Sequence, residues 1–177
     1  TYTSMARNKR YNRKSELAYE NEETFAMMDR LLSGGSYPKE KLREGWQEIL
    51  LNQFHDILPG SSIKEVYEDS QKAYEKILEN SREMTEASLK NLTSHIDSPR
   101  HSVAVFNPNS FETAGIVSFT CPETIENPSL WDGECEIPVQ RTENRTYIFT
   151  AQRVPSKGYK IYKLKDTGTE KSSFMNI

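Results

Sequence analysis

Cysteine, histidine and long apolar runs are all scarce in this sequence of 177 residues. Only two cysteines occur, Cys121 and Cys135, and there is no C-x-x-C pair. That excludes a cysteine-held zinc knuckle and a thioredoxin-type redox motif. Two free thiols in a reducing compartment are the default, with a hairpin disulfide in a secreted protein as the alternative. No stretch approaches the roughly 18 consecutive apolar residues of a membrane-spanning helix. No apolar stretch follows a basic start, so no secretory signal is visible. The chain starts at Thr1 without an initiator Met, which raises the expectation of a processed protein or an internal piece of a longer one.

What is present is polar and charged. Charged residues make up 28% and apolar residues 35%, with a mean hydropathy of -0.77. The 18 aromatic residues nevertheless argue against disorder. The net charge of -3 is unevenly spread. Arg7, Lys9, Arg10, Arg13 and Lys14 put +5 on the first 15 residues, so the remaining 162 sum to -8. An acidic remainder without further basic stripes speaks against nucleic acid as the partner and for a solvated helix face.

Proline divides the chain. Residues 1–97 hold two prolines and residues 98–177 hold six. The boundary falls at Asp97-Ser98-Pro99. In the first part, Tyr11, Ala18, Phe25 and Leu32, with Met28, predict an apolar stripe on a helix from about Thr3 to Leu32. Ser33-Gly34-Gly35-Ser36 ends it. Pro38 opens a second helix, with Leu42, Trp46, Ile49, Leu50, Gln53 and Ile57 inward and Pro59-Gly60 as its stop. Trp46 is expected to be mostly buried, and Glu40, Glu44 and Glu48 form the opposite, wet stripe. Ser62 to Glu65 reads as an S-x-x-E capping box for a third helix reaching about residue 96. In the second part, five strands are expected, at 102–106, 115–121, 136–140, 146–151 and 158–164. The predicted class is α+β: an antiparallel three-helix bundle over 1–97, then a small antiparallel β region over 98–177, part of a β-sandwich.

The most informative stretch is QFHDILPGS, Gln53 to Ser61. If the second helix continues through it, His55 and Asp56 project about 100° apart and cannot act as an i,i+4 ligand pair. His55 lies nine residues after Trp46, about half a revolution around, which places it on the flank of the bundle. Two readings stand. His55 is a helix-end imidazole favoured by the dipole, with Asp56 merely solvated. Or His55 is a metal ligand and Asp56 a hydrogen-bond acceptor in a site shared with another segment, since zinc needs about three or four protein ligands.

This stretch resembles the middle-domain signature Q-x-H-D-x-[IL]-x-G-[ST] of glycoside hydrolase family 38, the α-mannosidases, especially bacterial members of the cytoplasmic type. TYTS at Thr1 to Ser4, followed by Arg7-Asn8-Lys9-Arg10, is similar to the segment leaving that family's catalytic barrel. Val105-Phe106-Asn107-Pro108 resembles the start of its following β domain. Some members carry a second histidine where Phe54 stands. The resemblance implies a zinc-dependent retaining α-mannosidase acting on a mannose-containing glycan or mannoside, in the bacterial cytoplasm. Zinc is then held by barrel residues together with a middle-domain histidine that matches His55, while Asp56 matches a carboxylate bonded to sugar hydroxyls. The nucleophile and the acid/base lie in the barrel, which this stretch does not include. No catalytic residue is therefore expected here, and the piece alone should be inactive. The alternative is a non-enzymatic helical interaction module with its basic N-terminus as the docking patch.

Overall fold

The computed structural model describes residues 3–168. They form three helices followed by seven strands, an α+β fold. The chain divides into two compact units, Thr1–His95 and Ile96–Ile177. Among the described residues no helix is long and apolar enough to cross a membrane.

Helix α1 spans Ala6–Ser33, α2 Lys39–Asn52 and α3 Lys64–Ser94. Gly34 closes α1 in the left-handed region at φ +70°, where the absence of a Cβ removes the steric penalty. The face that α1 buries is not the expected one. Of the apolar stripe only Phe25 is buried, and Leu32 is 70% exposed. The buried row is instead Asn8, Asn12, Ser15, Tyr19, Glu22, Ala26 and Asp29, alternating steps of four and three residues. α3 presents Tyr67, Ser70, Tyr74, Ile77, Ser81, Met84 and Ser88 with the same alternation. That spacing is the 3.5-residue period of two helices packed along a shared seam.

Polar pairs span the seam. Ser70 donates to Asn8 Oδ1 (2.8 Å), Tyr74 to Asn12 Oδ1 (3.0 Å), Thr85 to Glu22 Oε2 (2.8 Å) and Asn91 to Asp29 Oδ1 (2.7 Å). The separation is 62 or 63 residues in every pair, so α1 and α3 run in the same direction. Each bond nets only about 1 kcal/mol, but an orphaned buried partner costs about 1–3 kcal/mol, so the pairs define one register. α2 runs the opposite way: the Gln53 amide donates to Glu16 and the Trp46 indole N–H to Glu23. Tyr19 packs so close to α2 that a Cβ at Gly45 would fall 1.9 Å from its hydroxyl oxygen.

Three further expectations need correction. α2 stops at Asn52 instead of continuing to Ile57, and Leu50 is 60% exposed. Trp46 is half-buried, its ring edge-on to Tyr19. The capping box does not form: Ile63 is the N-cap residue of α3, with no side-chain cap, and the Ser62 hydroxyl goes to Asp56 instead. Glu40, Glu44 and Glu48 are exposed.

The described residues of the second unit form seven strands, not five: β1 Ser102–Asn107, β2 Thr113–Thr120, β3 Pro128–Asp132, β4 Cys135–Ile137, β5 Gln140–Glu143, β6 Thr146–Val154 and β7 Gly158–Asp166. Two antiparallel sheets form, ordered β1-β7-β3-β4 and β2-β6-β5. The expected strand at 136–140 is split near Pro138, its halves joining different sheets, because proline has no N–H for a ladder. β3 was hidden by its leading Pro128 and its lack of alternation. Leu130, Phe149, Tyr162 and Leu164 centre the core, with the Phe149 and Tyr162 rings 4.9 Å apart and nearly perpendicular. Asn107 explains its motif. Its buried amide reaches the carbonyls of Phe111, Val154 and Pro155 at 2.8–3.1 Å, and its Oδ1 accepts the Asn109 N–H.

Candidate functional site

The loop between α2 and α3 carries both sequence-predicted site residues. After Asn52 the backbone makes a succession of tight turns. Ile57 and Leu58 N–H both donate to the Phe54 carbonyl, and Gly60 N–H donates to the Ile57 carbonyl. Gly60 sits at φ +97°, and a Cβ there would come within 2.8 Å of Ser4 Cβ. A side chain at that position would therefore be both strained and obstructed.

His55 and Asp56 lie on these turns, not on a helix, so the 100° divergence expected of adjacent helical residues does not apply. The turn brings His55 Nε2 to 3.5 Å from Asp56 Oδ2. Both side chains face solvent, 76% and 62% exposed. The Phe54 ring lies against the imidazole, with centroids 4.1 Å apart, and is itself exposed. Leu50 and Leu51 continue the exposed apolar surface on the last turn of α2. The result is an imidazole and a carboxylate side by side on an apolar rim, turned away from the helical core.

Chemically this pair offers one nitrogen lone pair and one carboxylate. Among the described residues no group of three or more His, Cys, Asp or Glu side chains could hold a metal ion. Two donors are fewer than the three or four protein ligands that zinc takes.

The other candidates stand apart from it. The triplet His95-Ile96-Asp97 puts another histidine and carboxylate two residues apart. Here, however, His95 ends α3, its Nδ1 within 2.9 Å of the Asn91 carbonyl and 3.1 Å of Ser94 Oγ. Of the basic run, Arg7, Arg10, Arg13 and Lys14 are exposed. Arg13 pairs with Glu16 and Arg7 bonds Gln71. Lys9 is turned inward, its Nζ on the carbonyls of Ser4 (2.6 Å) and Pro59 (3.1 Å), so the run is not a uniform docking patch.

Sequence reasoning missed two residues around the loop. Lys9 entered only through the basic run and the Arg7-Asn8-Lys9-Arg10 resemblance, and Tyr67 was given no role at the loop. The Tyr67 hydroxyl donates to the Ile57 carbonyl (3.0 Å) and accepts the Ser62 N–H (3.1 Å). It also missed Glu22, fully buried on the α1 seam. Burial pushes the Glu22 carboxyl up to about 7, against the hydrogen bonds from Thr85 and Ser88 and with a further upward push from Asp29. The even four-three spacing of polar residues along α1 was the available signal for Glu22.

A family model described as the alpha mannosidase middle domain matches residues 1–92. Alpha-mannosidase G of Dictyostelium discoideum is 38% identical over 93 residues, covering 52% of this chain and 8% of that protein. Alpha-mannosidase of Saccharomyces cerevisiae is 44% identical over 69 residues, 38% of this chain and 6% of that one. A crystal structure of a glycosyl hydrolase family 38 protein from Enterococcus faecalis superposes with a TM-score of 0.76 at 18% identity. It covers 98% of this chain and 26% of that one. The chain thus spans less than a tenth of these curated relatives and about a quarter of that solved structure.

Proposed function

The chain belongs to the alpha mannosidase middle domain family, and on that premise we propose that it works as part of a longer zinc-dependent α-mannosidase of glycoside hydrolase family 38. In this reading residues 1–97 are an antiparallel three-helix bundle, and residues 98–177 begin a β-sandwich domain. The observation that carries the proposal is the exposed His55-Asp56 pair, held on a turn within the matched segment and facing away from its own helices.

Each residue has a role that its chemistry allows. His55 would supply one imidazole nitrogen to zinc, whose other ligands would come from outside the described residues. Asp56 supplies a carboxylate that accepts hydrogen bonds from sugar hydroxyls. An ion held by His55 and those outside ligands would supply Lewis-acid chemistry to a bound sugar. The exposed rim of Phe54, Leu50 and Leu51 keeps the pair beside apolar surface, where water is more easily displaced. Retention of configuration needs two carboxyl groups about 5 Å apart across the scissile bond. That pair belongs to the remainder of the enzyme, so the 177-residue chain alone is proposed to be inactive toward a mannoside. A cytoplasmic setting belongs to the same reading and is supported by the unpaired thiols of Cys121 and Cys135.

The test is made in the full-length protein, by metal analysis and hydrolysis of an aryl α-mannoside. His55→Ala should lose zinc and activity together. Asp56→Asn should keep zinc and lose turnover. Wild-type zinc content and rate in His55→Ala would refute the proposal.

A further inference from the structure

The side chains of His55 and Asp56 are largely in solvent, and the ring packed on the imidazole, Phe54, is itself exposed and on the same loop. Their direction is set by the backbone, and that backbone is held by its carbonyls. The Asp56 carbonyl accepts from Ser62 Oγ at 2.6 Å and Ser61 Oγ at 3.3 Å. The Ile57 carbonyl accepts from Tyr67. The Pro59 carbonyl accepts from Lys9, which lies 50 residues earlier in the chain. The two serines belong to the loop's own exit and Tyr67 to the first turn of α3. Of these four anchors, only the Lys9 contact ties the loop to α1.

We propose that Lys9 is a positioning residue for the His55-Asp56 pair, its ammonium clamping the loop to the segment that leads into α1. One Nζ bridges two carbonyls, Ser4 at 2.6 Å and Pro59 at 3.1 Å. Gly60, next to Pro59, lets the two backbones meet, since its missing Cβ leaves room for Ser4. An ammonium suits such a clamp because it is compact, has three donors, and binds carbonyls more strongly than a neutral donor does. The inference rests on the proposed function only for its catalytic consequence. The mechanical part concerns the described residues alone.

The experiment has two arms. In the 177-residue chain, Lys9→Met should speed hydrogen exchange at the Ile57, Leu58 and Gly60 amides at least tenfold, while exchange at Ile77 and Met84 in α3 stays within twofold. Lys9→Arg should restore most of the protection. If Lys9→Met does not fold, Lys9→Gln takes its place. Unchanged exchange at the three loop amides would overturn the clamp. In the full-length protein, Lys9→Met should lower kcat/KM for an aryl α-mannoside at least tenfold and hasten zinc loss to a chelator, with the melting temperature kept and Lys9→Arg active. Wild-type kcat/KM and zinc retention in Lys9→Met, alongside an inactive His55→Ala, would overturn the clamp and leave the functional reading standing. A loosened loop in Lys9→Met with fully active His55→Ala would support the clamp and refute the functional reading.

Discussion

Glu22→Gln should make the helical unit more stable at pH 8 and leave it nearly unchanged at pH 4.5. Glu22 is fully buried on the α1 seam. Oε2 accepts from Thr85. Asp29, two turns along the same face, adds negative potential. The carboxyl is raised from an ordinary 4.5 to about 7. The folded state therefore holds a proton that the unfolded state gives up between those values. Stability is greatest below pH 4.5 and falls as pH rises, by about 1.4 kcal/mol per unit, until it levels above pH 7. The total is about 3 kcal/mol, a large share of a small unit's stability. Glutamine has the shape of the protonated acid, and its oxygen can still accept from Thr85, but it never becomes charged. Urea unfolding at both pH values, followed by circular dichroism at 222 nm, measures wild type against variant. Taking the difference cancels every other titrating group. The reasoning is refuted if the two proteins differ equally at pH 4.5 and pH 8, or if Glu22→Gln is the less stable at pH 8.

Further substitutions test the packing. Gly45→Ala improves helix propensity by about 1 kcal/mol, yet its methyl would meet the Tyr19 phenol. A net loss of about 2 kcal/mol in urea unfolding is expected, and a stabilised variant would show that α2 can move away from Tyr19. Trp46→Ala should cost about 2 kcal/mol, below the roughly 3–5 of a fully buried tryptophan, because Trp46 is half-buried and loses one bond, to Glu23. Glu48→Ala on the wet face should stay within about 0.5 kcal/mol, and equal losses for these two would contradict the orientation of α2. Asn107→Ala removes the amide that gathers three carbonyls. Unfolding of the second unit, read by Trp131 fluorescence, should weaken by about 2 kcal/mol; no change would mean that those carbonyls are satisfied without it.

Local chemistry by itself settled a good deal. Apolar recurrence at helical spacing and turn residues placed three helices, and Gly34 and Pro38 bracketed the first connection, since glycine and proline act on their own backbone and need no partner. Alternation placed β1, β2, β6 and β7 for the same reason. QFHDILPGS made His55 and Asp56 the candidates, but residue types left two readings open and only the family resemblance gave them roles. Tertiary structure decided what depends on a distant partner. Hydropathy pointed α1 inward through Leu32, but the buried row is Asn8, Asn12, Glu22 and Asp29, because each finds a donor about 62 residues away on α3. A buried polar group is tolerable only when paired, and such a pairing cannot be read from one side. Beyond the end of α2 at Asn52, distant side chains hold the loop: Lys9 takes the Pro59 carbonyl and Tyr67 the Ile57 carbonyl. On that loop His55 and Asp56 are a pair 3.5 Å apart at the surface, not neighbours on diverging helical faces.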